Sequence, residues 1–117
     1  MPIKNHNIHS AKSIKIAALN DTLRKFGKGG LLHQTHGFAA LDNDIRAEFI
    51  NLIRTNDEFD DGDDPYGQHD FGAETIGSTT VYWKIDSYDL SMKYLSDTPE
   101  DETATKRVMT IMLSNEY

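Results

Sequence analysis

The stretch TTVYWKIDSYD, residues 79–89, decides the fold of this chain. Its apolar side chains recur at every second position, the spacing that puts successive side chains on opposite faces of a β-strand. Val81, Trp83 and Ile85 share one face. The other face is more polar and carries four side chains: Tyr82, Lys84, Asp86 and Tyr88. We therefore predict a long strand whose Trp83 face belongs to the core.

Two further strands are predicted around this stretch. HDFGAE, residues 69–74, precedes it through TIGS, whose glycine suits the tight turn of a β-hairpin. KRVMTIMLS, residues 106–114, is largely apolar on both alternating faces. That pattern is typical of a central strand that is covered on one side and shielded on the other. The intervening segment, residues 89–105, is polar, and we expect one helical turn after Pro99.

Two amphipathic helices are predicted in the first half of the chain. The first begins at Ser10 or Ser13, either of which can cap it, and ends at the following GKGG, because glycine readily adopts the left-handed geometry of a C-cap. Its apolar side chains recur at spacings of three and four: Ile16, Leu19, Leu23 and Phe26. The second begins at Asp42 or Asn43 and ends near Thr55. Its apolar side chains follow the same spacing: Ile45, Phe49, Leu52 and Ile53.

The remaining segment between the helices, LLHQTHG, is predicted to be a short strand or extended segment. His33 and His36 would face opposite sides of such a strand, which argues against a shared metal ion. The order of elements favours an α+β domain, with two helices packed on one face of a mostly antiparallel sheet of about four strands. A chain of 117 residues has room for one hydrophobic core. We predict a single domain over residues 1–117, with residues 1–10 as a loose N-terminal arm.

Charge is divided unevenly along the chain. Residues 1–55 hold eight Lys and Arg against four Asp and Glu, whereas residues 56–117 hold four against fifteen. Six carboxylates lie between Asp57 and Asp64, in a segment that Gly62 and Pro65 keep from being helical and that we expect to be a solvated loop. The chain has no cysteine, which excludes disulfides and thiolate nucleophiles. Its apolar runs are too short to span a bilayer, so we expect a cytoplasmic protein without a membrane partner.

The block DPYGQHDFG, residues 64–72, has a structural and a chemical interpretation. In the structural one, Pro65 and the two glycines turn the chain into a strand, and either His69 is buried and hydrogen-bonded or Asp70 makes a hydrogen bond within the turn. In the chemical one, His69 and Asp70 form an acid-base pair, or they bind a divalent ion with Glu74 and Asp86. The acidic run does not match a calcium loop and GKGG does not match a phosphate-binding loop.

Five ordered blocks of the chain resemble a bacterial family catalogued as domain of unknown function 3768. They are ALNDTLR on the first predicted helix, THG followed by AL, then DPYGQHDFG, VYWKIDSYD and RVMTIMLSNEY. The likeness runs from Ala18 to Tyr117, with Gln68 where the family commonly has Glu and Ser87 where Tyr is common. The resemblance implies no activity. It implies a small stand-alone bacterial protein of a kind often carried on plasmids or prophage-like regions.

From the charge pattern and the missing catalytic motifs we expect a non-catalytic interaction protein of a mobile genetic element. An inhibitor of a bacterial defence nuclease, of the anti-CRISPR or antirestriction type, is one instance, in which carboxylates partly mimic nucleic acid. The expected partner is a protein with a basic surface, such as a nucleic-acid-binding effector, and neither nucleic acid nor a cofactor is expected to bind directly.

The residues predicted to bind the partner are loop carboxylates and tyrosines: Asp57, Glu58, Asp60, Asp61, Asp63, Asp64, Tyr66, Tyr82 and Tyr88. The alternative is a small hydrolase or nuclease-like enzyme in which His69, Asp70 and Asp86 hold a divalent ion that activates water. The oligomeric state stays open, and a homo-oligomeric accessory subunit is a third possibility.

Overall fold

The computed structural model describes residues 9–117 of the chain. Ser10 caps the first helix by accepting a hydrogen bond from the Ser13 backbone N–H at 3.0 Å, and Gly27, at φ 68°, ends it. Ser10 is one of the two predicted caps, and this prediction is confirmed. Residues 1–8 of the predicted N-terminal arm lie outside the described residues. The helices are α1 (Ala11–Phe26), α2 (His36–Ala39) and α3 (Asn43–Thr55).

Four strands form one sheet, which confirms an α+β fold with a mostly antiparallel sheet. The strands are β1 (Gly30–Gln34), β2 (Phe71–Ile76), β3 (Thr79–Tyr88) and β4 (Lys106–Leu113). Their spatial order is β1-β4-β3-β2, and β1 pairs with β4 in parallel, whereas the other two pairs are antiparallel. The predicted hairpin between β2 and β3 and the central position of β4 are confirmed.

The core forms where the Trp83 face of β3 meets the helices. Trp83 lies directly opposite Ile111 of β4, and Ile85 lies opposite Met109, so the alternating pattern places these side chains on one face. Helical side chains from α1, α2 and α3 join them in one buried cluster: Leu23, Phe38, Phe49 and Ile53. Burial of these apolar side chains is the main source of stability.

The short helix α2 replaces the end of the strand predicted for LLHQTHG. Thr35 caps α2, and its hydroxyl donates a hydrogen bond to Glu116 Oε1 at 2.6 Å, while the Gly37 backbone N–H donates to Glu116 Oε2 at 2.9 Å. Glu116 comes from the 3₁₀ turn Ser114–Glu116 directly after β4. A partner about 80 residues away in sequence therefore stabilises this helix, and local sequence patterns do not contain that information.

The glycine of the DPYGQHDFG block that enters β2 is required by close packing. Gly72 pairs opposite Trp83, and a Cβ atom added at Gly72 would lie 2.4 Å from Trp83 Nε1. Gly67, in the same block, has φ 65°, in the left-handed region that favours glycine. Both observations agree with the structural interpretation of this block as a turn that leads into a strand.

Candidate functional site

The face of β3 opposite the core carries a cavity of about 670 Å³. Tyr82, Lys84 and Asp86 point into it, as the alternation along β3 predicts. The end of the acidic segment reaches its rim, because Asp63 also lines the cavity. The structure thus brings two separately predicted features, the acidic segment and the tyrosine-bearing strand face, to one place.

Three aromatic rings form one wall of this cavity. The Phe71 and Tyr82 ring centroids lie 5.4 Å apart, and the Tyr117 ring meets both of them edge-on at 5.8 and 5.6 Å. Tyr117 is 76% exposed, so most of its ring surface is open to solvent. Aromatic side chains that are rigid and accessible are frequent anchors in protein interfaces.

Charged groups form the rest of the lining. The Lys84 ammonium donates a hydrogen bond to Asp86 Oδ2 at 2.6 Å, and this bond raises the pKa of Lys84 above its usual range. The pKa of Asp70 is raised as well, first by burial and then by the negative charges of Asp64 and Asp86. The negative charges of Asp64 and Asp86 therefore make the electrostatic potential around Asp70 negative.

We expect Asp70→Asn to raise the melting temperature. A carboxyl group whose folded pKa lies above its unfolded value destabilises the fold when it is ionised, and asparagine removes that charge. The gain in melting temperature should be largest at pH values above the pKa of Asp70 in the folded protein. It should shrink as the pH falls toward 3.8, the ordinary pKa of an aspartate. Thermal melts across pH 3 to 8 measure it, with the exposed Asp97→Asn as control. Equal melting temperatures for wild type and Asp70→Asn at neutral pH would contradict the expectation.

His69 forms its hydrogen bond with a different carboxylate from the one predicted. Its Nδ1 lies 3.0 Å from both carboxylate oxygens of Asp21 on α1, and its ring stacks on Phe59 at 4.0 Å. Its Nε2 is 3.9 Å from Asp64 Oδ2. The backbone bends here, since His69 has φ 55°, but the bend turns the imidazole toward α1. The hydrogen bond expected in the structural interpretation is present, with Asp21 as the partner, but the His69 side chain is 30% exposed and not buried.

The four residues considered as metal ligands are not assembled into a site. Glu74 accepts hydrogen bonds from Asn56 Nδ2 at 3.0 and 3.1 Å, and Asp86 is paired with Lys84. Glu74 lies opposite Val81 in the hairpin and so shares the core-side face, whereas Asp86 lies on the cavity side. Within residues 9–117, no group of three or more His, Asp or Glu side chains is placed to hold a metal ion.

Two side chains of the acidic run, which was predicted to be a solvated loop, make contacts that stabilise the fold. Asp57 accepts hydrogen bonds from Arg24 at 2.9 Å and from Lys25 at 2.6 Å, which lower the pKa of Asp57. Asp64 is only 4% exposed, and its Oδ1 accepts the backbone N–H groups of Gln68 and His69 at 3.0 and 3.1 Å. A carboxylate buried in this way is not accessible to a partner, so the prediction of Asp64 as a partner-binding residue is wrong.

The other predicted partner-binding residues lie at different places on the surface. Tyr66, Glu58 and Asp61 are exposed, and Asp60 is exposed while its Oδ1 accepts the Asp63 backbone N–H at 2.8 Å. Tyr88 is half-buried at the end of β3, where it bridges to Leu95. Among the nine predicted residues, Asp63 and Tyr82 line the cavity.

Sequence reasoning missed Phe71 and Tyr117 as members of the site. Phe71 lies opposite Lys84 in the hairpin, so the register alone places it on the cavity face. The predicted hairpin therefore contained a signal for Phe71. Tyr117 reaches the site because the 3₁₀ turn after β4 folds back toward α2, a tertiary arrangement without a local sequence signal.

Within residues 9–117, no helix is long and apolar enough to cross a membrane. Neither the curated proteins nor the solved structures include a significant match to the chain. The model of the family described as protein of unknown function (DUF3768) matches residues 34–116, which span α2, α3 and all of β2 to β4. The ALNDTLR block on α1 lies before the matched region. Because the match covers most of its length, this chain belongs to the DUF3768 family.

Proposed function

We propose that this protein is a non-catalytic binding module that takes a segment of a protein partner into the cavity on the outer sheet face. The observation that carries the proposal is the open aromatic wall of Phe71, Tyr82 and Tyr117. Such rings supply large, rigid contact area at low entropic cost, and a cavity of about 670 Å³ has the size of a ligand site.

Charge favours a partner with a basic surface. The chain has a net charge of −7, and Asp63 extends the negative surface of the acidic run to the rim of the cavity. Complementary charge of this kind speeds association and selects the partner. A nucleic-acid-binding effector has such a surface, and inhibition of a bacterial defence nuclease by a protein from a mobile genetic element is the instance we favour. This function sets the protein in the cytoplasm, where those effectors act.

Mimicry of nucleic acid would be partial. Asp57 and Asp64 are engaged within the fold, so the outward-facing charge of the acidic run is smaller than its six carboxylates suggest. The aromatic wall would then supply contacts that a row of charges alone does not provide. We expect binding to weaken with salt but to persist in part, because the aromatic contacts are not screened.

Tyr117→Ala is expected to weaken partner binding by about tenfold or more, the usual cost of losing an interface anchor. Tagged wild-type protein and Tyr117→Ala would be used to isolate partners from bacterial cells at low and high salt, with mass spectrometry of the bound proteins. Tyr94→Ala is the matched control, because Tyr94 is similarly exposed, at 72%, and lies outside the cavity.

A stoichiometric partner that Tyr94→Ala retains and Tyr117→Ala loses would support the proposal. An equal loss in both variants, or the same partner retained by both, would overturn the assignment of the binding face. Turnover of a substrate by the purified protein alone would overturn its non-catalytic character.

A further inference from the structure

We propose that the cavity is a receptor for an arginine side chain presented by the partner. This inference rests on the proposed function and makes it specific, since it names the chemical group that enters the site. A guanidinium ion is planar and cationic, so it can stack on an aromatic ring while its N–H groups reach carboxylates. The cavity offers both kinds of contact side by side.

The aromatic wall provides the stacking surface. The Phe71 and Tyr82 rings are tilted by 48° to each other, and the Tyr117 ring stands at 71° and 85° to them. The rings therefore present faces in different directions around one space and do not form a closed stack. A cation over such a ring face is attracted by the negative charge of the π-system, and arginine makes this contact more often than lysine.

The charged lining selects a cation. Asp63, Asp70 and Asp86 line the cavity together with one basic side chain, Lys84. Three carboxylates against one ammonium leave an excess of negative charge, which an incoming guanidinium would reduce. The same excess disfavours nucleic acid and acidic peptides. Charge complementarity thus indicates a basic group as the occupant.

One cation of the chain itself, the Lys84 ammonium, already lies in this cavity. The Lys84 ammonium lies 2.6 Å from Asp86 Oδ2, and the Lys84 side chain is 39% exposed. Lys84 therefore occupies Asp86 and adds a like charge to the space that an arginine would enter. Its removal should free one carboxylate and lower the repulsion, so Lys84 acts as an internal competitor of the ligand.

The test is a titration of ¹⁵N-labelled protein with N-acetyl-arginine amide, followed by NMR chemical shifts. N-acetyl-citrulline amide has nearly the same shape without the charge, and N-acetyl-lysine amide has the charge without the planar group. We expect saturable shifts centred on Phe71, Tyr82 and Asp86 with arginine, and binding at least about fivefold weaker with either of the other two amides.

Three variants sharpen the test. Asp70→Asn is expected to weaken arginine binding about fivefold or more, while its raised melting temperature shows that the fold is intact. Lys84→Met keeps an unbranched apolar stem and is expected to tighten binding several-fold. Glu48→Gln on the exposed surface of α3 is the control and should leave binding unchanged.

A stronger affinity of Lys84→Met is the most specific outcome, because a merely structural role of Lys84 predicts a loss or no change. Shifts that do not saturate, that centre elsewhere, or that are equal for citrulline would overturn the arginine receptor. If arginine fails while a partner still depends on Tyr117, the binding module stands and only the named side chain is wrong. If arginine binds but no partner is retained, the receptor stands and the proposed protein partner fails.

Discussion

Replacement of Arg24 by methionine is expected to lower the free energy of unfolding by about 2–3 kcal/mol, the cost of leaving the acceptors of a buried arginine without a donor. The Arg24 side chain is 0% exposed. Its Nη1 donates to the backbone oxygens of Ile53 and Asn56 at 2.7 and 3.0 Å. Ile53 lies in the last turn of α3 and Asn56 is its C-cap, so the cation also meets the favourable end of the helix dipole.

The remaining contacts of Arg24 hold the acidic run and the core. Its Nη2 donates to Asp21 at 3.0 Å and to Asp57 at 2.9 Å, and its guanidinium lies 5.2 Å from the centre of the Phe59 ring. The same guanidinium lies 5.5 Å from the centre of the Trp83 ring. One side chain therefore connects α1, the end of α3, the acidic run and β3.

Denaturant unfolding of Arg24→Met and Lys25→Met provides the comparison. Lys25 also bonds Asp57, but its side chain is 28% exposed and reaches a carboxylate that is 57% exposed. An ion pair of that kind contributes about 0–1 kcal/mol. If the two variants lost equal stability, the central role of the Arg24 network would be refuted.

Local patterns in the sequence predicted most elements of the fold. The three-and-four spacing from Ile16 to Leu23 and the glycines after the helix suffice for α1, because both signals act within one helix. Phe26 continues the spacing but is 68% exposed, so the buried face ends before it. The period-two pattern from Val81 to Ile85 suffices for β3 and for its buried face. These elements are predictable because the free energy that selects them comes from burying one regular face.

The features that were missed depend on long-range contacts. The parallel pairing of β1 with β4 joins Gly30 to Arg107, and all five residues of β1 are exposed, so no buried face marks that strand. The inward turn of Asp64 depends on the N–H groups of Gln68 and His69 being placed by the turn. A charged run predicts solvation on average, and it does not show which member finds a buried partner.

The candidate site also combines residues that a local pattern predicts with a residue that only the tertiary fold brings in. The alternation along β3 was enough to place Tyr82, Lys84 and Asp86 on one face. The cavity needs Tyr117 as well, whose ring reaches Phe71 and Tyr82 only after the 3₁₀ turn has docked on α2. A strand pattern therefore identified one wall of the site, and the tertiary fold supplied the other.

Asn20→Leu is expected to lower the free energy of unfolding by about 2–3 kcal/mol, the cost of leaving buried polar groups without partners. Asn20 is 1% exposed. Its Nδ2 donates to the Gln68 backbone oxygen at 2.9 Å, and its Oδ1 accepts from Arg107 Nε at 3.0 Å. Arg107 is itself buried, and burial lowers the pKa of its guanidinium. A leucine side chain can neither donate a hydrogen bond to the Gln68 carbonyl nor accept one from Arg107.

Asn51→Leu is the matched control, because Asn51 lies at an exposed position of α3, where such changes stay within about 0.5 kcal/mol. A double-mutant cycle with Arg107→Met separates the Asn20–Arg107 contact from the rest, since coupled neighbours are not additive. Equal stability of Asn20→Leu and Asn51→Leu would refute the network.

Asn20→Leu is also expected to affect the cavity on the outer sheet face. Gln68 is two residues before Asp70, and Asn20, Gln68 and Asp70 line one small cavity of about 190 Å³. By holding the Gln68 carbonyl, Asn20 fixes the segment that carries Asp70. Asn20→Leu is therefore expected to weaken arginine binding even at temperatures where the variant stays folded, whereas Asn51→Leu is not. Unchanged arginine binding in folded Asn20→Leu would show that Asp70 is positioned by the hairpin alone.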